Sequence, residues 1–194
     1  MRLIAVCLLA SFLIPSLSRA QDVPVFSIDP TQSSIKFAVK ASVAIAGTFD
    51  RWNATLTFTS TDVTTGVLDV EIQAASVDTG SGMKDSKLKS SDFFDVANNP
   101  LITFKSTKIS QTGPNTFELD GNFTIRGVTR AEQLTLTVSG KGTGSGQISG
   151  TLYFDRKDYG MNSGIPFIKI ANRVEVNVAL QGTRVSGPPL VFKQ

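Results

Sequence analysis

The side chains that most often carry enzymatic chemistry are nearly missing from this chain of 194 residues: histidine is absent and cysteine occurs once, as Cys7. Without an imidazole there is no Ser-His-Asp triad, no histidine general base and no histidine metal ligand. A single thiol excludes a disulfide framework. Carboxylates and basic side chains remain. Asp78, Asp85, Asp92 and Asp95 lie close in sequence, the raw material of a metal site or a paired-carboxylate acid–base site. Their spacing lacks the alternating oxygen ligands and tight-turn glycine of a calcium loop, and they read as caps and solvated turns. Asp155-Arg156-Lys157-Asp158-Tyr159-Gly160 packs four charges ahead of an aromatic residue and a glycine. That stretch fits a surface turn with local ion pairs and equally a polar rim beside a cavity mouth. Gly140, Gly142, Gly144 and Gly146 have the look of a phosphate loop. Such a loop must open into a helix N-terminus, whereas a strand pattern follows here, so a hairpin turn is expected. No catalytic, metal or cofactor residue is assigned, and the chain is read as a non-enzyme.

The elements that would position any site are strands. Ser34–Lys40, Trp52–Thr59, Leu68–Ala74, Ile102–Lys105, Phe117–Arg126, Leu134–Ser139, Ile148–Phe154 and Val174–Leu180 follow a period of two, with one apolar and one polar face. These eight segments predict half-buried antiparallel strands. The pattern alone allows a closed barrel or a two-sheet sandwich. Ser76–Pro100 is too long for a hairpin connection and predicts one short helix near Gly82–Ser90, capped by Ser81. Arg156–Ala171 is a second long connection. With 41% hydrophobic and 18% charged residues the chain is too apolar for disorder and too polar for a bundle of membrane helices. Residues 1–20 combine a basic start, an apolar run from Leu3 to Ile14 and Ser18-Arg19-Ala20, which together predict a cleaved secretory signal peptide. Residues 21–194 are then the single mature domain, with no membrane span, and no basic patch pointing to nucleic acid.

Several short motifs, in order, resemble the YceI-like family of polyisoprenoid-binding proteins. They are Phe26-Ser27-Ile28-Asp29-Pro30 with Ser33–Phe37, Gly47-Thr48-Phe49, Met83–Asp95 with Pro100–Phe104, Leu119–Thr129, and Arg156-Lys157-Asp158-Tyr159-Gly160. The resemblance runs from about Val25 to Leu180. It implies an extended, eight-stranded, lipocalin-like antiparallel barrel that holds a long lipid, in a periplasmic or secreted protein. Two positions where the family often carries histidine hold Ala41 and Lys87 here. A histidine-dependent headgroup or metal contact therefore does not carry over.

On this reading the chain binds, sequesters or transports an amphipathic isoprenoid (a quinone or polyprenyl lipid) or a fatty-acyl lipid. The expected lining is Phe37 and Val39, Leu56 and Phe58, Val70 and Ile72, Phe93 and Phe94, Phe104, Phe117, Leu119 and Phe123, Leu136, Phe154, and Val176 and Val178. Lys84, Lys87, Arg156 and Asn162, on the two long connections, are the expected headgroup donors. A homodimer is compatible with this reading. The alternative is a structural or interaction barrel whose core is filled. An outer-membrane barrel fits poorly, because one Trp and two Tyr cannot furnish two aromatic girdles. A carboxylate hydrolase lacks any identifiable nucleophile–base pair.

Overall fold

Alternation of apolar and polar residues gives one face to a core and the other to water, and in the computed structural model the long strands follow it over most of their length within one antiparallel sheet. The structure describes residues 23–164 and 168–193, so the signal-peptide expectation falls outside the described residues. The strands are β1 (Val25–Ala41), β2 (Ile45–Phe49), β3 (Trp52–Thr57), β4 (Val67–Gln73) and β5 (Val77–Asp78), followed by α1 (Gly82–Lys89). Then come β6 (Leu101–Gln111), β7 (Thr116–Ile125), β8 (Val128–Val138), β9 (Ser145–Asp155) and β10 (Ile170–Ser186). The sheet therefore has ten strands, in the order β3-β4-β6-β7-β8-β9-β10-β1-β2-β5, rather than the expected eight. The difference lies in β2 and β5, whose five and two residues are too short to show a period. The sheet curls into a half-barrel around its apolar face, and β1 packs against β3 without a ladder between them.

Local chemistry sets the register. In β7, Phe117, Leu119, Phe123 and Ile125 are buried on one face. A bulge in β6 between Ser106 and Lys108 resets the alternation, so that Ser106 and Ile109 both face inward. Ser106 is satisfied there by accepting from the Leu68 amide at 2.9 Å. Gly121, across from Ser106, leaves room for the Phe104 ring: a Cβ at this position would lie 2.6 Å from Phe104 Cζ. The helix forms where expected, but Ser81 occupies the N-cap position without a side-chain bond. Asp85 instead accepts from the Thr79 amide at 2.9 Å and the Thr79 hydroxyl at 2.6 Å. The glycine stretch makes the β8–β9 turn, with Gly140, Gly142 and Gly144 at φ of 74°, 82° and 82°. No helix among the described residues is long and apolar enough to cross a membrane.

Candidate functional site

The antiparallel register defines two ends of the half-barrel. One carries α1, the β1–β2 turn and the connection after β9; the other carries the glycine turn and the C-terminal residues. Each end holds an apolar cavity.

The cavity at the helix end has a volume of about 510 Å³. Phe37 and Val39 of β1 line it, with Ile72 of β4, Phe123 of β7, Phe154 of β9 and Val176 of β10. Phe93 and Phe94, just after α1, roof it together with Leu88. Its aromatic walls are continuous, with ring centroids 5.6 Å apart for Phe37–Phe49, 6.0 Å for Phe49–Phe94 and 5.1 Å for Phe123–Phe154. Lining residues that are also exposed mark the opening. These are Val43 on the β1–β2 turn, 50% exposed, and Met83 on α1, 85% exposed.

The cavity at the opposite end is about 110 Å³. Leu56, Phe58, Phe117, Leu119 and Leu136 line it, and Pro189, Leu190 and Phe192 close over it. This C-terminal cover is tied down by Val191 N to Thr61 O at 2.8 Å and Lys193 N to Gln111 Oε1 at 2.7 Å. Between the cavities Ile35, Val70, Phe104, Leu134 and Leu152 are buried and line neither, forming a packed waist.

The expected lining thus divides three ways. Phe37, Val39, Ile72, Phe93, Phe94, Phe123, Phe154 and Val176 meet around the large cavity, and Leu56, Phe58, Phe117, Leu119 and Leu136 around the small one. Val70 and Phe104 fill the waist, and Val178 is half-buried against the core. Sequence reasoning passed over Ile45, Phe49 and Met161, which also line the large cavity. Gly47-Thr48-Phe49 carried a signal, because a Cβ on Gly47 would meet Asp78 O at 2.6 Å and Phe37 Cε1 at 2.9 Å. That glycine allows β2 to close against the cavity wall. Met161 follows a glycine at positive φ after a short 3₁₀ turn and has no periodic neighbour to betray it.

Charged side chains border both cavities, Lys141 and Arg184 at the small one and Lys84, Lys87 and Arg156 at the large one. Lys84 Nζ donates to Ala44 O at 3.0 Å, linking α1 to the β1–β2 turn. Lys87 pairs with Asp92, and Asp92 also accepts from Ser163 Oγ at 3.0 Å. The Lys87 bond, then Ser163, holds the Asp92 carboxyl below the usual carboxylate range. Lys84 and Lys87 both line the cavity. Arg156 also lines it but is buried, and its guanidinium donates to Ala171 O at 3.2 Å, to Ser163 O at 3.0 Å and to Met161 O. Of the two readings of the Asp155–Gly160 stretch, neither describes this arginine, which fixes the connection between β9 and β10 from inside. Asn162 is exposed on that connection and lines neither cavity. Tyr159 is fully buried against Phe123 and Phe154 and donates to Glu132 at 2.7 Å. Burial first, then the Glu132 bond, pushes its hydroxyl pKa far upward. Among the described residues no group of three Cys, His, Asp or Glu side chains could hold a metal ion.

The YceI-like domain family matches residues 26–182. A UPF0312 protein of Pseudomonas savastanoi pv. phaseolicola is 28% identical over 145 residues, covering 72% of this chain and 74% of its own. A UPF0312 protein of Shewanella sp. (strain ANA-3) is 26% identical, covering 94% and 98%. Among solved structures, Burkholderia cenocepacia BcnA superposes with a TM-score of 0.72 at 24% identity, over 80% of this chain and 99% of that one. A polyisoprenoid binding domain from Saccharophagus degradans, implicated in plant cell wall breakdown, superposes with a TM-score of 0.65 at 16% identity, over 83% and 99%.

Proposed function

Because this chain belongs to the YceI-like domain family, we propose that it binds a long apolar lipid of isoprenoid type in the cavity at the helix end and carries it outside the cytoplasm. The observation that carries this reading is the cavity itself: about 510 Å³, walled by phenylalanines and aliphatic residues, and open beside α1. That size falls within the range of ~300–1,000 Å³ typical of small-molecule sites. A tail entering it gains roughly 0.8 kcal/mol for each buried methylene. The polar end behaves differently, since a buried and unpaired headgroup loses roughly 1–3 kcal/mol. The headgroup therefore stays at the wet mouth, beside Lys84 and Lys87. Arg156, occupied by main-chain carbonyls, secures the wall and Asn162 stays in water. The Saccharophagus degradans neighbour supports the isoprenoid class, and the leader-like residues 1–20 support export to the periplasm or beyond. The role is binding and transfer rather than catalysis.

A cavity of this size favours the binding reading over a filled structural barrel, whose packing describes the waist. The test is extraction of the purified protein with organic solvent and mass spectrometry of what co-purifies. A stoichiometric isoprenoid or acyl lipid supports the reading. A chain that carries none, and takes up neither a polyprenyl phosphate nor a quinone from a detergent-free mixture, overturns it.

A further inference from the structure

The rim of the large cavity has a chemistry of its own. Three segments meet there and are laced together by polar bonds. Ser42 N donates to Lys169 O at 3.1 Å, Lys169 N to Ser42 Oγ at 3.2 Å, and Lys84 Nζ to Ala44 O at 3.0 Å. On this continuous edge Val43 and Met83 hold large apolar side chains in water, 50% and 85% exposed. They line the cavity's opening but belong to neither the buried core nor the residues packed against it. Lys40 and Lys169 are exposed on the same edge, and Lys84 is half-buried beside them. Among the described residues none of these three lysines forms a salt bridge. The carboxylates of α1 and its flanks keep their charge but bond elsewhere, Asp78 to Gly80 N, Asp85 to Thr79, and Asp92 to Lys87 and Ser163, so none of them pairs with these three lysines. The edge thus pairs projecting apolar side chains with unneutralised ammonium groups. That combination suits the interface of a bilayer with anionic headgroups, where apolar residues enter the acyl boundary and lysines meet phosphates.

We propose that the rim formed by Val43, Met83, Lys40, Lys84 and Lys169 docks the cavity mouth onto an anionic lipid bilayer, so that ligand passes between membrane and cavity without crossing water. This rests on the lipid-binding reading above but makes a separate claim about a surface. Each lysine near such a surface changes partitioning by about fivefold, so three act together on the order of a hundredfold. The attraction weakens as salt shortens the Debye length.

The test is co-sedimentation of the exported protein, its N-terminus checked by intact mass, with phosphatidylcholine vesicles containing or lacking about one third phosphatidylglycerol. Three forms are compared: wild type, Val43→Asp/Met83→Asp, and Lys40→Gln/Lys84→Gln/Lys169→Gln. Val43, Met83, Lys40 and Lys169 are exposed and Lys84 is half-buried at the cavity mouth, so a Lys40→Gln/Lys169→Gln form is read beside the triple variant, and unchanged thermal melts establish that the variants are folded. The expected result is binding to anionic vesicles only, reversed by high salt, and lowered by at least tenfold in both variants. No binding to anionic vesicles, or binding that both variants retain, overturns the proposal. Lipid content of the same preparations separates the two claims. A chain that carries lipid yet ignores vesicles loses the docking surface and keeps the cavity function. Rim-dependent docking by a chain that never carries lipid does the reverse.

Discussion

Truncating two phenylalanines, Phe94 and Phe104, separates a cavity wall from a packed core. Both are nearly buried, at 7% and 6% exposure. Phe104 sits in the waist, paired across the ladder with Phe123 and Val70 and stacked over Gly121. Its ring is buried and borders neither cavity, so Phe104→Ala loses transfer energy and leaves a new void, at a cost of about 3–5 kcal/mol. Phe94 contacts Phe37 and Phe49, with centroids 6.5 and 6.0 Å away, while another side borders the 510 Å³ cavity. A side facing a void has no partner atoms to lose. Phe94→Ala therefore costs roughly half as much, about 1.5–2.5 kcal/mol, and enlarges the existing cavity instead of opening a new one. Urea unfolding of delipidated protein measures the difference; delipidation is essential because bound ligand adds its own stabilisation. Lipid occupancy follows by mass spectrometry of the untreated proteins. The expected pattern is a large stability loss with unchanged lipid in Phe104→Ala, and a smaller loss with altered lipid content or chain length in Phe94→Ala. Equal losses with identical lipid profiles would place Phe94 in the filler of a core and refute the cavity as a site.

Four further outcomes follow from named contacts. Gly121→Ala forces a Cβ to within 2.6 Å of Phe104 Cζ and 2.7 Å of Lys105 O, and destabilises the chain by about 1–3 kcal/mol in chemical denaturation. Tyr159→Phe removes the 2.7 Å bond to Glu132 and costs about 1–2 kcal/mol; in the native chain no more than one of the two tyrosines shows phenolate absorbance before alkaline unfolding. Asp92, whose carboxyl is held below its unfolded range, contributes stability that is fully present above pH ~4 and is lost as pH falls through its folded pKa. The tether from α1 to Ser163 then loosens in acid, read as faster release of bound lipid below pH ~4, and Asp92→Asn shows that faster release already at neutral pH. N-terminal sequencing of exported protein returns Gln21 as the first residue; Met1 would mean that the leader is retained.

Much of the fold was legible because a half-buried strand must alternate. Trp52–Thr57, Phe117–Ile125 and Val174–Leu180 announced their strands through a period of two, and the short helix followed from a connection too long for a hairpin. The ends of β1 and β10 were less visible. At the start of β1 the ladder breaks between Asp29 and Ser34, where Asp29 takes up the Thr31 amide at 2.8 Å and hydroxyl at 2.7 Å, so Pro30–Ser33 show no alternation. The site was legible by face but not by level. Periodicity says that Phe104 and Phe123 both point inward; it does not say that one fills the waist while the other borders a void. That depends on which distant segments close each end, such as Phe93-Phe94 above and Leu190 and Phe192 below. The surroundings of Arg156, expected as a headgroup donor, were not legible for a related reason: it lines the large cavity, but its guanidinium is held by main-chain carbonyls. Its three carbonyl partners, at Met161, Ser163 and Ala171, belong to an irregular connection whose path no local pattern encodes.

The two ends of the half-barrel differ in what covers them and in the size of the cavity behind the cover. The far end is partly covered by the C-terminal residues, whose amides are committed to Thr61 O and Gln111 Oε1 and whose Phe192 packs on Phe117 with centroids 6.2 Å apart. The waist, with Phe104 over Gly121, separates that end from the large cavity. The mouth at the helix end is flanked by side-chain contacts, Lys84 to Ala44 O, Lys87 to Asp92 and Ser163 to Asp92, and by the Ser42 N to Lys169 O bond. Exposed ion pairs and hydrogen bonds of this kind are individually weak, which makes α1 the element that opens at least cost. On the binding reading, entry is expected at the edge that carries Val43, Met83 and the lysines, because it borders the larger of the two cavities.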